Sequence, residues 1–406
     1  DLKIDSVWVL VQALRNHVKS YRRKYYYSYT KDTPDEEIVA YIKAVYKNIL
    51  AMFGEFKPDV LVMPNFASLQ HILFSLYAKN HGVKVIGGAD ARFRNRLTFF
   101  YDYLQRDGLI QDKIAANREL DFDIEREVEA ERKRLHSNLN QEVKIPPYFK
   151  SLSEELRPFY WALKFIVRNK FVRWTGGILD SAGVLLIRDW WKRKVYIWKN
   201  LRYPYDDLGK IGKFVYVPLQ FQPEMTIDVF AARLNNQLEF VRQVAMSCPG
   251  DYVVVVKEHP AMIERRSPAY FDKIARLPNV KAISPMVTSE EVLRKADLVV
   301  TPNGTTCIDC AFLKKPVIQM GDLGLTLLYP NVIHVKNWSD LSHGIRTAVE
   351  MKFDVEYESK LKRTVAGVIQ GSFDYRLQDF WEKGEVKNRD EFIDLFVQNI
   401  RYVLDR

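Results

Sequence analysis

The hydrophobic positions at the start of the chain recur at helical spacing. Leu10, Leu14 and Val18 follow one another at intervals of four residues, as on one face of a helix. Asp5 or Ser6, just before them, can cap that helix. The pattern therefore predicts that the chain opens with an amphipathic helix.

A strand, a helix and a second strand follow the next helix of the pattern. Pro34 opens that helix, because proline suits the first helical turn. Short apolar runs then predict strands at 60–63 and 83–86, with a helix at 68–80 between them. A β-α-β order of this kind implies a parallel sheet with right-handed crossovers.

The second half of the chain repeats this alternation with cleaner strands. Helical stretches separate them, which indicates a second doubly wound α/β domain. A final amphipathic helix is predicted at 391–404. The predicted strands occupy residues 214–217, 252–256, 280–283, 298–300 and 317–318.

Breaks in the pattern divide the chain into segments. A highly charged helix is predicted at about 121–136, and Pro146 with Pro147 interrupts the chain after it. We therefore predict an α/β fold with two doubly wound domains and a linker. The segments are a first domain at 1–150, a basic, aromatic helical linker at 151–212, a second domain at 213–385 and a carboxyl-terminal helix at 386–406.

The linker has an unusual composition. Between residues 157 and 202, eleven Lys and Arg residues accompany two Asp residues and five Trp residues. Cations mixed with indole rings are typical of a surface in a lipid headgroup layer, and an anionic membrane surface is one predicted partner. The alternative is an interdomain linker whose aromatic side chains pack on both domains. Nucleic acid is not an expected partner, because no binding module is recognisable.

Composition limits the protein to a few classes. The 406 residues include 61 Lys and Arg against 51 Asp and Glu, a net charge of +10, which suits an anionic partner. No apolar run approaches the length of a membrane span, and no signal-peptide order precedes the first helix. Three cysteines exclude a disulfide scaffold and suit a reducing, cytoplasmic compartment. Residues upstream of Asp1, including a short strand, could belong to the same domain.

Three motifs follow strands of the second domain. Ligands of open α/β sheets bind outside the carboxyl ends of the strands, so these loops are the candidate site. The first motif, 218–226, presents amides, a carboxylate and a hydroxyl directly after the strand at 214–217. The alternative for this motif is a loop that proline merely shapes, with Glu224 in solvent.

The second motif combines a histidine with positive charge. Lys257 and His259 stand at a strand end, His259 is followed by a proline, and Arg265 and Arg266 come shortly after. Hydrogen-bond donors and positive charge at one point suit a phosphate group. A structural histidine is the alternative interpretation.

The third motif is a glycine turn with hydroxyl groups. Asn303, Gly304, Thr305 and Thr306 lie between a strand and a helix. Free amide groups and the helix dipole make such a turn an anion site, although simple capping by either threonine is compatible with the same sequence.

Together, the order and spacing of the three motifs resemble the capsular polysaccharide biosynthesis family of bacterial glycosyltransferases, which includes Kdo transferases of capsule and lipopolysaccharide assembly. The matching text is PLQFQPEMT at 218–226, VKEHP at 256–260 and TPNGTTCIDCAFLKKPVIQMGD at 301–322. Asp309 stands where the family usually has a glutamate. The resemblance covers about 214–322 and is loose in the first domain, through 58–59 and 89–93.

This resemblance implies a GT-B architecture, in which two Rossmann-like domains face each other across a cleft. It implies a nucleotide-sugar in the second domain, an acceptor facing the first, and no metal or other cofactor. The donor would be Kdo or a related keto-acid sugar linked to CMP. The acceptor would be a bacterial surface polysaccharide or lipid-linked glycan, reached from the inner face of the cytoplasmic membrane. The residues implied to bind nucleotide or phosphate are Lys257, His259, Asn303, Gly304, Thr305 and Thr306.

Glycosyl transfer also needs a carboxylate, as a base or a nucleophile. Glu224 is the first candidate, Asp228 the second, and Asp90 of the opposing domain the third. We expect Arg265 or Arg266 to pair with a donor carboxylate. Gln222 of the first motif is a further candidate donor-binding residue.

Other functions on this fold stay open. A CDP-glycerol-type polyol-phosphate transferase or a UDP-sugar 2-epimerase would also pair a His-Pro loop with a later hydroxyl turn. A membrane-docked glycan-binding scaffold is the non-enzymatic alternative. Cys307 and Cys310 have the spacing of a metal or redox pair, but no second pair accompanies them, so no metal site is predicted.

Overall fold

The computed structural model describes residues 2–11, 13, 35–117, 122–137, 143–171, 182–376 and 389–406. The helix predicted through Leu10, Leu14 and Val18 falls mostly outside these residues, and its described part is helical at Trp8–Val11 (α1). The elements that follow it up to residue 137 are α2 (Asp35–Phe56), β1 (Val60–Met63), α3 (Leu69–Asn80), β2 (Lys84–Asp90), β3 (Leu97–Phe100), α4 (Leu109–Ala116) and α5 (Ile124–Ser137).

The first sheet confirms the predicted parallel pair and extends it. β1 and β2 run parallel, with Val60 opposite Lys84. β3 then pairs antiparallel with β2, and a short strand near the end of the chain, β10 (Ser372–Phe373), pairs antiparallel with β3. The sheet order is β1-β2-β3-β10. The sequence pattern did not predict β3 or β10.

Two long helices connect the domains: α6 (Leu152–Phe171) and α7 (Ala182–Leu201). They are antiparallel, because Glu155 contacts Lys194 whereas Phe159, further along α6, contacts Trp190, which comes earlier on α7. We call the pair the helical hairpin.

The second domain contains a parallel six-stranded sheet. Its strand order is β6-β5-β4-β7-β8-β9, which is the 3-2-1-4-5-6 order of a Rossmann sheet. The five predicted strands are confirmed, and β9 is an addition. The strands are β4 (Phe214–Pro218), β5 (Val253–Lys257), β6 (Val280–Ile283), β7 (Leu298–Thr301), β8 (Val317–Gln319) and β9 (Val332–His334).

Helices cover both faces of this sheet, as the strand crossovers require. Side chains cap several of them: Asn236 accepts the backbone N–H of Glu239, and Thr288 accepts that of Glu291. The helices are α8 (Met225–Asp228), α9 (Gln237–Ser247), α10 (Pro268–Ala275), α11 (Ser289–Lys295), α12 (Thr306–Phe312) and α13 (Leu341–Val349).

The chain returns to the first domain earlier than the predicted boundary at 385. Helix α14 (Val355–Gln370) packs on α4, where Gly371 allows a close approach: a Cβ there would lie 2.7 Å from Ile110 Cα. Strand β10 and helix α15 (Arg389–Asp405) then complete the first sheet and one of its faces. The sequence pattern located the last helix but not the sheet that it joins.

The two domains share a core. Phe93 of the first domain stacks on Phe312 of the second, with ring centroids 6.3 Å apart. The same apolar cluster includes Phe66, Phe230 and Tyr329, all buried. None of the helices in the described part of the chain combines the length with the apolar character that a membrane span requires.

Candidate active site between the domains

A cavity of about 570 Å³ lies between the two domains, and we call it the interdomain cavity. It faces the carboxyl ends of the second sheet, where Rossmann sheets bind ligands. The first domain contributes the end of β2, the turn after it and α5, whereas the second contributes the starts of α8 and α12. The polar side chains in its lining are Asn65, Asp90, Arg92, Arg94, Asn95, Gln105, Glu131, Arg134, Glu224, Thr305 and Asp309.

Glu224 and Asp228 lie on the same loop but differ in accessibility. Glu224 is exposed, lines the cavity and directly precedes α8. Asp228 is fully buried, and its Oδ2 accepts the backbone N–H of Glu224 at 3.0 Å. The Glu224 carboxylate is therefore free to meet a ligand, while Asp228 fixes the loop that carries it.

Gln222 supports the same loop from inside. Its side chain is fully buried, and its Nε2 donates to the carbonyl oxygen of Asn235 at 2.9 Å. Its Oε1 accepts a bond from Gln237 Nε2 at 2.6 Å. The structure thus places Gln222 within the framework of the loop and not in the cavity, where the sequence analysis expected a donor contact.

Asp90 and Arg92 bring the first domain to the opposite side of the cavity. Asp90 ends β2, and its Oδ1 accepts the backbone N–H of Arg92 at 2.6 Å. The Arg92 guanidinium reaches Thr226 of the second domain, with 3.5 Å between Nη2 and Oγ1. Burial lowers the pKa of Arg92, and the nearby carboxylates of Glu224 and Asp90 oppose that shift. Arg92 thus links the two domains beside two candidate catalytic carboxylates.

A second acidic position lies at the start of α12. Burial raises the pKa of Asp309 to about 7, and Arg134 of α5, whose Nη2 lies 3.5 Å from Oδ1, partly opposes this shift. Asp309 therefore changes its charge near neutral pH. The sequence pattern marks Asp309 as an acidic position without a role, and nothing in it distinguishes Arg92 or Arg134 from other arginines. Their place in the site depends on tertiary packing that no local pattern encodes.

His259 presents a neutral donor. Its Nδ1 accepts the backbone N–H of Ala261 at 3.2 Å, so the ring proton sits on Nε2. His259 is exposed at the surface, and partial loss of hydration on the protein side of the ring, with the cations Lys257 and Arg266 nearby, lowers its pKa to about 4. At neutral pH the ring is uncharged and Nε2–H can donate to a ligand oxygen.

Lys257 supplies positive charge next to this ring. Its side chain is buried at the end of β5, and burial lowers its pKa to about 8, against the opposing effect of Glu290 and Glu258. The ammonium group is therefore still mainly protonated at neutral pH. Lys257 and the His259 ring thus bring a positive charge and an N–H donor close together, and the phosphate contact stays a prediction from the second motif.

Arg265 and Arg266, paired in the sequence analysis, have different environments. Arg265 is exposed, with its guanidinium carbon 5.2 Å from the centre of the Phe221 ring, which in turn meets the His259 ring at 5.7 Å. Arg266 is buried and forms an ion pair with buried Glu258, with 2.5 Å between Nε and Oε2. The expectation of a ligand contact thus has support in the geometry for Arg265, whereas Arg266 holds the loop.

The glycine turn has a similar division between framework and surface. Asn303 is buried, donates from Nδ2 to the carbonyl oxygen of Thr226 at 3.2 Å, and accepts from the backbone N–H of Leu323 at 3.3 Å. Gly304 has φ +140°, which favours glycine. Thr305 is exposed, lines the cavity and makes no side-chain cap hydrogen bond to α12. Thr306 begins α12 and is partly buried.

Direct contacts join the three loops. Gln220 Nε2 donates to Thr301 Oγ1 at 3.2 Å, and the carbonyl oxygen of Gln220 accepts from Arg266 Nη2 at 3.3 Å. The hydrogen bond from Asn303 to Thr226 also joins the third loop to the first. Although the loops are separated in sequence, they form one surface at the carboxyl edge of the second sheet. That surface offers donors and positive charge, and Glu224 and Thr305 lie where it meets the interdomain cavity.

The cysteines take no part in this surface. Cys307 and Cys310 are fully buried, and burial raises the pKa of both thiols, that of Cys307 to about 12. Such thiols are poor nucleophiles and poor metal ligands. Within the described ranges, no three His, Cys, Asp or Glu side chains converge as a possible metal site.

Two α/β domains, one with Rossmann strand order, that face each other across a cleft define the GT-B class of fold. No family model and no curated protein matches the chain. Similar solved structures include KpsC of Thermosulfurimonas dismutans, as a β-Kdo 2,7-transferase (13% identity, 84% of this chain and 82% of that chain covered, TM-score 0.38) and as a β-Kdo 2,4-transferase (14%, 80% and 88%, 0.34). UDP-GlcNAc 2-epimerase of Methanocaldococcus jannaschii, in complex with UDP-GlcNAc and UDP, is also similar. Its sequence identity is 16%, the match covers 83% of this chain and 81% of that chain, and the TM-score is 0.31.

At 13 to 16% sequence identity, the likeness to these structures concerns the fold alone. Substrate and reaction are therefore inferred below from this chain's own residues.

Proposed function

We propose that the protein is a glycosyltransferase that moves a sugar from a nucleotide-linked donor to a glycan acceptor. The observation that carries the proposal is the position of Glu224. Its exposed carboxylate lines the interdomain cavity from the second domain, which would hold the nucleotide. The opposite wall of the cavity carries Asp90 and Arg92 of the first domain. A donor on one domain and an acceptor on the other would meet at this carboxylate.

The surface at the strand ends is suited to the leaving nucleotide. Lys257, His259 and Thr305 would offer an ammonium group, a neutral N–H donor and a hydroxyl to phosphate oxygens. Negative charge gathers on the phosphate as the glycosidic bond breaks, so contacts that strengthen at that moment accelerate the reaction. In this proposal the positive charge comes from the chain itself, and no metal ion is required.

Glu224 would then act on the acceptor or on the sugar. As a base it would take the proton from the attacking hydroxyl, and as a nucleophile it would attack the oxocarbenium-like centre. Arg92, whose guanidinium contacts Thr226 of the same loop, places a positive charge beside the Glu224 carboxylate. Asp90, on the acceptor side, is the second candidate base.

The proposed donor is Kdo or a related keto-acid sugar linked to CMP, and the proposed acceptor is a bacterial surface polysaccharide or lipid-linked glycan. Such a sugar carries a carboxylate, which needs a cation. Arg265, exposed over Phe221 and close to the His259 ring, is available for that pairing. Arg266 is not, because Glu258 already occupies it.

The experiment is a product assay with three donors: CMP-Kdo, UDP-GlcNAc and CDP-glycerol, each with and without a capsular or lipopolysaccharide acceptor fraction. We expect acceptor-dependent release of CMP by the wild type and its loss in Glu224→Gln. Inversion of UDP-GlcNAc at C2 or transfer of glycerol phosphate would instead identify one of the other enzymes on this fold. No reaction with any donor would favour a glycan-binding scaffold.

A further inference from the structure

The helical hairpin carries a long apolar stripe on the surface. Leu152, Leu156, Tyr160, Leu163 and Val167 of α6 are each at least 51% exposed. They are spaced by three or four residues, which places them on one face of the helix. From Leu152 to Val167 the stripe is about 22 Å long at 1.5 Å per residue.

Helix α7 adds two tryptophans to the same side of the hairpin. Glu155 and Phe159 mark the face of α6 that contacts α7. At about 100° per residue, the apolar stripe lies about a quarter turn around α6 from that face. Trp191 and Trp198 are 62% and 49% exposed. They lie about a quarter turn from the α7 face that contacts α6, in the same rotational direction along the chain as the stripe on α6. In an antiparallel pair these two directions coincide. We call the combined surface the hairpin flank.

The hairpin flank faces away from the second domain. The opposite side of α7 attaches to that domain through Asn200, whose buried side chain donates to the carbonyl oxygens of Ile263 and Arg266. Arg193, also on that side, pairs with Glu264 at 2.6 Å. Since the domain contacts use one side of α7, the flank is open to an external partner.

Positive charge borders the apolar surface. Arg157 and Lys164 of α6 and Lys199 and Arg202 of α7 lie beside the stripe, and no carboxylate within the described parts of the chain pairs with any of them. The Arg202 guanidinium packs over the Trp198 ring at 4.9 Å. Lys194, in contrast, is buried against Glu155, so the sequence composition alone overstated the number of free cations.

We infer that the hairpin flank is a docking surface for an anionic lipid bilayer. Leucine and aromatic side chains on one face enter the interface between headgroups and acyl chains, while long basic side chains at the border reach the phosphates. A second protein subunit would not need unpaired cations around the apolar area, whereas an anionic headgroup layer does. The inference does not depend on the proposed reaction, because it concerns a different surface and is tested without donor or acceptor.

The test is vesicle flotation with vesicles of phosphatidylcholine alone and of equal parts phosphatidylcholine and phosphatidylglycerol. We expect the wild type to bind the mixed vesicles at least about tenfold more tightly than the neutral ones, with affinity falling as salt rises. Two variants separate the contributions. Leu156→Gln/Leu163→Gln/Trp191→Gln and Arg157→Gln/Lys164→Gln/Lys199→Gln should each weaken binding at least about tenfold.

The matched control is Phe56→Gln/Val355→Gln, which removes two strongly exposed apolar side chains elsewhere on the surface. It should bind as the wild type does, and circular dichroism should show all variants folded. Equal binding by the hairpin variants and the wild type, or no binding to anionic vesicles, would overturn the inference. A lipid-free dimer that the apolar variant converts to a monomer would also overturn it, since the flank would then be a subunit interface.

Discussion

The buried carboxylate of Asp228 accepts the backbone N–H of Glu224 at 3.0 Å, so one acidic residue of the loop holds the other in the interdomain cavity. This relationship separates a residue proposed to react from a residue that positions it. The two should therefore respond differently to substitution.

Glu224→Gln should lower turnover by about 10²–10⁴-fold, because an amide cannot take a proton from the acceptor or attack the sugar. The side chain is exposed, so the melting temperature and the affinity for nucleotide should stay near the wild-type values. Steady-state kinetics with a thermal melt will show this. An equal loss of turnover and nucleotide affinity would sink the assignment.

Asp228→Ala should instead destabilise the fold by about 1–3 kcal/mol, because it removes the acceptor of a backbone N–H. Turnover should fall as well, since Glu224 is no longer held. Chemical denaturation measures the stability change. A variant as stable as the wild type would show that the buried carboxylate does not hold this loop.

Arg265 and Arg266 form a matched pair. Arg266→Ala leaves Glu258 as an unpaired buried charge and should lower the free energy of unfolding by about 3–5 kcal/mol. Arg265→Ala should leave stability nearly unchanged and raise the KM for a carboxylate-bearing donor. Denaturant unfolding and kinetics on both variants distinguish the roles, and the same stability loss in the two would contradict them.

The His259 ring should titrate far below the ordinary range. Its folded-state pKa of about 4 lies below the unfolded value of about 6.5, so the contribution of this ring to stability is fully present above pH 6.5 and is lost as the pH falls toward 4. An NMR titration of the ring should show this midpoint and the Nε2–H tautomer. A midpoint near 6.5 would mean that the ring is hydrated and lacks the effect of its cationic neighbours.

Asp309 should show the opposite dependence. Its folded-state pKa of about 7 lies above the unfolded value of about 3.9, so its contribution to stability is present below pH 4 and is lost as the pH rises through 7. Asp309→Asn, which cannot ionise, should therefore melt at a higher temperature than the wild type at pH 8.5 and at a similar temperature at pH 5. Parallel melting curves at all pH values would refute the raised pKa.

The sequence predicted the second sheet and the loops at its carboxyl edge because the signals are local. Each strand is a short apolar run. Because the strands of a parallel sheet run in the same direction, every loop that follows a strand starts at the carboxyl edge of the sheet. Glu224, His259 and Thr305 could therefore be selected as candidates before any coordinates.

The remaining parts of the site depend on contacts between distant segments. Strand β10 joins β3 from more than 270 residues away, and Arg92 reaches Thr226 across the domain junction. Arg265 and Arg266 are identical in type and adjacent in sequence, and only packing distinguishes the exposed one from the buried one. No local pattern contains this information, so the sequence alone predicts ligand contacts for Gln222 and Arg266, whose side chains hold loops in the fold.

The central claim is that the loops at the carboxyl edge of the second sheet bind a nucleotide through His259 and its neighbours. The most direct measurement is thermal stabilisation by CMP, CDP, UDP and GDP, on the wild type and on His259→Ala, because a ligand that binds the folded state raises its stability by mass action. We predict that CMP raises the melting temperature of the wild type and that the effect is lost in His259→Ala. Stabilisation by none of the four nucleotides, or equal stabilisation of both proteins by CMP, would contradict the account.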